Sequence, residues 1–300
     1  MSILSEPHFH NEAAAIARLE AIIWPEGPVC AHCGGVDRIT PVRGGRIGLR
    51  RCGDCKKQFT CKVGTVFESS HVPVHKWFQA AHLLASSKKG ISAHQLHRTL
   101  KVTYKTAWFM AHRLREAMRD GTLSPMGGSG KVVEADETYI GKIELAPKGR
   151  KKPGSGFKNI VMTLVERGGS ARSFHIDATT LNEVTKIVRE NVHHETIINT
   201  DEGVWYKQVG GHFLSHDTVN HSRYEYVRDD ITTNTVEGYY SIFKRGMKGV
   251  YQHCSEKHLH RYLAEFDFRY SNRVALGVND TARTARALKG ISGKRLTYRA

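Results

Sequence analysis

Two Cys-x-x-Cys knuckles, Cys30-Ala31-His32-Cys33 and Cys52-Gly53-Asp54-Cys55, constrain this chain more than any other feature of its sequence. Each knuckle places two thiolates within reach of one ion, and together they complete the tetrahedral sulfur set that zinc prefers. A closed four-sulfur site has no open coordination position, so the implied ion is a structural Zn2+. Gly34 and Gly53 suit the tight backbone. Arg50, Arg51, Lys56 and Lys57 flank the second knuckle, where cations favour the thiolate and face phosphate. The other two of the six cysteines, Cys61 and Cys254, read as ordinary buried thiols. The opening residues, Met1 to Glu6, have no basic stretch leading into an apolar core, so no secretory signal is expected. Reduced, metal-ready thiols and a cytoplasmic location follow.

Charge narrows the partners. The chain carries 45 Lys+Arg against 29 Asp+Glu, a formal charge of +16, spread along its length. Such a field favours polyanions, because each cation near a phosphate releases condensed counterions. An acidic membrane would also attract it, but there is no apolar run of about 18 residues and no lipidation signal. Hydrophobic residues make up 40% and charged residues 25%, the balance of an ordinary globular protein.

The patterning divides the chain into six parts: an N-terminal helix (1–24), the zinc ribbon (25–68), a helical module (69–120), a Gly/Ser/Pro linker (121–130), a mixed α/β domain (131–275) and a basic C-terminal tail (276–300). In the helical module, Ile91 to Leu100 and Tyr104 to Met118 read as two helices joined by Lys101-Val102-Thr103. With Lys101, Lys105 and Arg113 on or near the second, they fit a helix-turn-helix that places this helix in a DNA major groove. A plain helical hairpin with solvated lysines has the same spacing. Beyond the linker the period becomes that of strands: Val132 to Asp136, Asn159 to Val165, Ala171 to Asp177, a helix from Leu181 to Val192, and a strand from Thr196 to Asp201. The order β, β, β, α, β indicates a mixed sheet. The basic loop between the first two strands holds Lys148, Arg150, Lys151 and Lys152, which suit phosphate contacts.

Two aspartates, Asp136 and Asp201, stand at the ends of apolar strands. Carboxylates at neighbouring strand ends can share divalent cations of the magnesium class, as in-line displacement at phosphorus requires. Asp201 could equally cap a following helix. A third element is Thr233-Asn234-Thr235-Val236-Glu237 with Lys244: Glu237 and Lys244 lie seven apart, on one helix face two turns apart. Asn234 and Glu237 also spell a capping-box-like pattern, in which the Glu reaches back to backbone and ligates nothing. Glu137 and Glu202 are expected to point to the opposite strand face from their aspartate neighbours. His253, His258 and His260 lack partners of metal-site geometry and read as DNA-facing or core residues.

The four-cysteine ribbon, the helical segment and EADETYIGK (Glu134 to Lys142) together resemble bacterial insertion-sequence transposases of the branch related to the Merlin elements. NTDEG (Asn199 to Gly203), HDTVNH (His216 to His221), TNTVEGYYSIFKRGMKGVYQH (Thr233 to His253) and HLHRYLAEFDFRYSNR (His258 to Arg273) extend the resemblance, which runs from about Pro7 to Arg273. It implies a ribonuclease-H-like mixed sheet and an acidic triad of Asp136, Asp201 and either Glu237 or Asn234, binding Mg2+ or Mn2+, with Lys244 gripping phosphate. Glu237 is the favoured third ligand, because a carboxylate holds the ion more strongly. The implied activity is cleavage and strand transfer at the terminal inverted repeats of a mobile element, on double-stranded DNA, by a homodimer or higher oligomer associated with the nucleoid. An inactive DNA-binding regulator and a nuclease that does not join are the alternatives.

Overall fold

The computed structural model describes residues 2–121, 124–143 and 157–297. The chain forms two compact units: residues 1–119 together with 278–300, and residues 120–277.

In the first unit, α1 (Glu12–Ile23) starts where the Asn11 side chain accepts from the Ala14 N–H. The ribbon is a three-stranded antiparallel sheet of β1 (Ile39–Pro41), β2 (Arg50–Cys52) and β3 (Gln58–Phe59). Helices α2 (Val74–Ser86), α3 (Ala93–Leu100) and α4 (Tyr104–Met118) follow. Their ends obey local chemistry: Ser92 and Thr103 cap α3 and α4, and Lys101 closes α3 in the left-handed region at φ 50°. The two helices and their short turn stand where the sequence reads them, with Leu96, Leu100, Ala107, Met110 and Leu114 buried.

The segment read as a basic tail contains a helix. α8 (Asp280–Lys289) is capped by Asn279 and returns to the first unit, where Thr284 bonds His82 of α2 at 3.2 Å and Arg283 donates to the Ala85 carbonyl at 3.2 Å. The buried stripe Ala287, Leu288 and Ile291 drives this docking. It is too short to stand out in a window dominated by arginine and lysine. Within the expected linker, Met126 and Gly127 are likewise packed. Met126 is buried and forms a parallel bridge to Val192, and Gly127 (φ 81°) lies so close to Thr196 that a Cβ would meet its hydroxyl at 2.3 Å. Only glycine fits there.

The second unit is built on a five-stranded sheet of order β6-β5-β4-β7-β8. β4 (Val132–Ile140), β5 (Asn159–Glu166) and β6 (Ala171–Ile176) form an antiparallel meander. β7 (Ile197–Thr200) pairs parallel to β4, and β8 (Ser215–Thr218) parallel to β7. This mixed sheet agrees with the one that the resemblance implies, with the first and fourth strands of the unit adjacent to each other. Residues alternate along β5: Met162 and Leu164 enter the core with Val184 and Val188 of α5 (Leu181–Asn191). Val161 and Val165 enter the core on the other face with α6 (Asn234–Gly246) and α7 (Leu259–Ser271). A short hairpin, β9 (Val227–Arg228) and β10 (Ile231–Thr232), leads into α6.

Phe243 anchors α6. It is fully buried, with Phe266 edge-on at 5.2 Å and Tyr239 stacked at 6.4 Å. Phe243→Ala is expected to cost about 3–5 kcal/mol, read as a lower urea midpoint.

Candidate active site

Asp136 and Glu137 are consecutive on β4, and Asp136 pairs with Thr163 of β5. The Asp136 carbonyl accepts from the buried Tyr240 hydroxyl of α6 at 2.6 Å, which pins this stretch of strand to the helix behind it. Asp201 immediately follows β7, the parallel neighbour of β4, so sheet order alone brings the two aspartates together. The Asp201 carboxylate accepts from the Gly203 N–H at 2.9 Å. It therefore shapes its own loop and does not cap the 3-10 turn that follows, whose cap position is Gly203. A Cβ on Gly203 would sit 2.8 Å from the Trp205 ring and 2.9 Å from Asp201, so the loop closes this tightly only with glycine.

Carboxylate oxygens of Asp136, Glu137 and Asp201 lie within 4.8 Å of one another. The inclusion of Glu137 corrects the expectation that strand alternation would carry it away. Alternation fixes the direction of Cβ, and the carboxyl lies two carbons further on. Here it is steered by Trp205 Nε1 at 3.2 Å and the Tyr206 hydroxyl at 2.9 Å, both donating to one Glu137 oxygen. Burial pushes Asp136 up to about 8, reinforced by the charges of Glu137 and Asp201 and, more weakly, Glu237. Burial and then Asp201 push Glu137 up to about 7, and burial also raises Asp201. Three crowded acids of this kind hold protons or a cation, and oxygen donors alone suit an ion of the magnesium class.

Glu237 lies outside this close trio, exposed on the first turn of α6. It accepts from the Thr233 hydroxyl at 3.1 Å and stands 3.8 Å from His221 Nε2. The capping box is not formed: Thr233 occupies the cap position and makes no side-chain cap bond. Asn234 is the exposed first residue of the helix, with its backbone N–H on the Thr232 hydroxyl at 3.1 Å. Lys244 is half-buried with its ammonium 5.8 Å from the Tyr240 ring centre, on the residue that ties α6 to the Asp136 carbonyl. Sequence reasoning passed over Glu134, Arg167 and His221. Glu202 is likewise committed locally: the Ser222 hydroxyl and the His221 and Ser222 N–H groups hold its carboxyl down to about 2.

In the first unit, sulfurs of Cys30, Cys33, Cys52 and Cys55 also lie within 4.8 Å of one another, with Cys30–Cys55 and Cys33–Cys52 both 3.6 Å apart. Sulfurs around a tetrahedral zinc stand roughly 3.8 Å apart, so the residues fit the ion. Burial pushes the Cys61 thiol up to about 12, as befits an inert core cysteine. Arg50 is spent on Glu20 of α1 through two bonds, at 3.1 and 2.7 Å, whereas Arg51, Lys56 and Lys57 are exposed.

Of the residues expected to meet DNA, Lys101 and Lys105 are exposed at the α3–α4 turn. Arg113 is not. It is buried, stacks on Phe109 and donates to the Glu68 carbonyl at 3.0 Å, because its position on α4 faces the unit's interior. Lys148, Arg150, Lys151 and Lys152 lie outside the described residues. Among the described residues, the cysteines and the acidic trio are the only groupings able to hold a metal, so His253, His258 and His260 form none.

Residues 127–271 match the ISXO2-like transposase domain, and residues 10–58 match the transposase zinc-ribbon domain. The chain carries an ISXO2-like transposase domain. This domain spans the central sheet, α6 and α7, and so encloses the acidic trio, Glu237 and Lys244. A relative from Halobacterium salinarum, an uncharacterized protein in the transposable element ISH50, is 27% identical over 277 residues, 87% of this chain and 91% of that protein. Among solved structures, the Mos1 strand transfer complex aligns with 71% of this chain and 74% of that one at 11% identity and a TM-score of 0.30. That likeness is loose, and the fold assignment rests on the sheet order and the matched transposase domain.

Proposed function

We propose that this transposase cleaves the DNA at each end of its own mobile element and joins the freed 3′-hydroxyls to target DNA, with no covalent protein–DNA intermediate. The observation that carries this is the convergence of Asp136, Glu137 and Asp201 at the centre of the sheet, beside a helix presenting Glu237 and Lys244. Asp136 and Asp201 would hold Mg2+ or Mn2+ with Glu237 as the third ligand and Asn234 as its alternative. Divalent ions there would activate the attacking water or 3′-hydroxyl and steady the leaving oxygen. Glu137, fixed by Trp205 and Tyr206, would keep the site's potential negative and orient groups around the aspartates. Lys244 would grip the phosphate next to the scissile bond. The ribbon, with exposed Arg51, Lys56 and Lys57, and the α3–α4 pair, with Lys101 and Lys105, would read the inverted repeats. Two protomers would bring two ends together.

The test is end-labelled DNA bearing the element's termini, incubated with the full chain, Mg2+ and a supercoiled plasmid. Labelled termini joined to the plasmid are expected. Nicks at the termini without joining would make the protein a nuclease, and binding with neither product would make it a DNA-binding regulator.

A further inference from the structure

Glu134 lies two residues before Asp136 on β4 and is fully buried. Its carboxylate accepts from four donors: Arg167 Nε at 2.6 Å, the Thr235 N–H at 2.7 Å, the Thr235 hydroxyl at 2.9 Å and the Val236 N–H at 3.0 Å. Thr235 and Val236 are in the first turn of α6, the helix of Glu237, whose own cap residue makes no side-chain bond to the helix's backbone N–H groups. A carboxylate from the adjacent strand therefore satisfies the open N–H groups of that helix and complements its dipole.

Arg167 widens the connection. Besides Glu134, its guanidinium donates to the carbonyls of Asp230 at 2.7 Å and Thr232 at 3.0 Å, on the hairpin that leads into α6. With the Asn199 amide turned so that both of its groups are satisfied, the amide oxygen accepts from Arg167 at 3.0 Å. Asn199 is on β7, two residues before Asp201. One ion pair, with its carboxylate fully buried and its guanidinium half-buried, thus fastens the strand of Asp136, the strand of Asp201 and the helix of Glu237. A Ser or Asp at the cap position would stabilise α6 by itself just as well. A cap extending from the catalytic strand does more: it fixes the helix relative to that strand.

We infer that Glu134 and Arg167 are positioning residues that hold Glu237 in place for a metal ion bound at Asp136 and Asp201, an inference that rests on Glu237 being a ligand. Neither residue is assigned contact with the ion or with DNA. Supports of this kind, when removed, typically cost roughly ten- to a hundredfold in metal affinity.

The experiment is Mn2+ binding to the full-length protein by electron paramagnetic resonance, with thermal melting alongside. Glu134→Gln, Arg167→Met and Thr235→Val are each compared in the wild-type and Glu237→Ala backgrounds. Glu134→Gln and Arg167→Met are expected to raise the Mn2+ dissociation constant on the order of tenfold. In the Glu237→Ala background the same changes should add less than about twofold, because the ligand they position is gone. If Glu134→Gln lowers the melting temperature but binds Mn2+ like the wild type, its role is structural and the inference is overturned. A full additional loss without Glu237 also overturns it. Thr235→Val removes one donor and spares the ion pair, so it carries the test if the larger changes prevent folding: unchanged affinity there is equally contrary. If Glu237→Ala alone leaves Mn2+ binding intact, the ligand assignment itself has failed, and this is a separate outcome.

Discussion

Asp136→Asn is expected to lower metal-dependent DNA cleavage by on the order of a thousandfold while making the metal-free protein more stable at pH 8. The first effect follows from the proposed role of Asp136 as a metal ligand: losing the ion would forfeit several kcal/mol of transition-state charge stabilisation, at about 1.4 kcal/mol per factor of ten. The second follows from crowding. In the folded protein Asp136 is raised to about 8 and Glu137 to about 7, from ordinary values of 3.8 and 4.5. Between about pH 4 and 8 these two groups therefore hold more protons in the folded state than in the unfolded state. Their contribution to stability falls as pH rises through that window and levels off above it, against the opposite contribution of the buried His82 and the half-buried His8 and His216. An asparagine at 136 removes the larger part of this slope. Added Mg2+ should reverse the slope in the wild type, since binding displaces the retained protons and tightens as pH approaches 8. Thermal melting from pH 5 to 9, with and without Mg2+, reads both effects. A stability advantage of Asp136→Asn over the wild type that does not grow from pH 5 to 8 without metal would contradict the electrostatic account.

Loss of zinc should have the other large effect, confined to the ribbon. The ribbon's strands are two or three residues long, and its buried hydrophobic cluster is Cys30, Cys52 and Phe59, with Trp24, Ile39, Cys55 and Val63 packed on its edge. A core of that size does not hold a fold without its ion, and structural zinc sites supply roughly 10–16 kcal/mol of apparent binding energy. Cys33→Ser or a strong chelator is expected to unfold residues around β1–β3 and to abolish tight binding of the element's termini. Amides of β4, β5 and β7 should stay protected. Hydrogen exchange by mass spectrometry checks this directly, and loss of protection across the central sheet would show that the ribbon's zinc supports more than the ribbon.

The parts of this fold that were legible in the sequence are those governed by local chemistry. The knuckles, the capped helices α3 and α4, and the apolar strands β4, β5 and β7 all follow from residue type and period. The two aspartates could be read as neighbours because parallel pairing of β4 with β7 depends on their apolar runs, but only Asp201 follows a strand end: β4 continues to Ile140, which leaves Asp136 in mid-strand. What was missed depends on side-chain reach and long-range contacts. Glu137 joins the trio because Trp205 and Tyr206, far along the chain, direct its carboxyl. Glu134 looked like one more strand acid until α6 supplied the N–H groups it binds. Arg113 looked like a DNA contact because its charge was visible and its burial was not. The helix within the tail and the packing of Met126 are hidden for a similar reason: single apolar residues, Met126 and the stripe ending at Ile291, decide the packing there within a composition that signals exposure.

The most direct test of the central claim, a metal site shared by β4, β7 and α6, is magnesium-dependent 3′-end cleavage of labelled terminus DNA by Asp201→Ala, Glu237→Gln and Asn234→Ala beside the wild type. The account predicts that cleavage is lost in the first two, while all four proteins bind the DNA and Asn234→Ala still cuts. Cleavage that survives in Glu237→Gln and disappears in Asn234→Ala would contradict it.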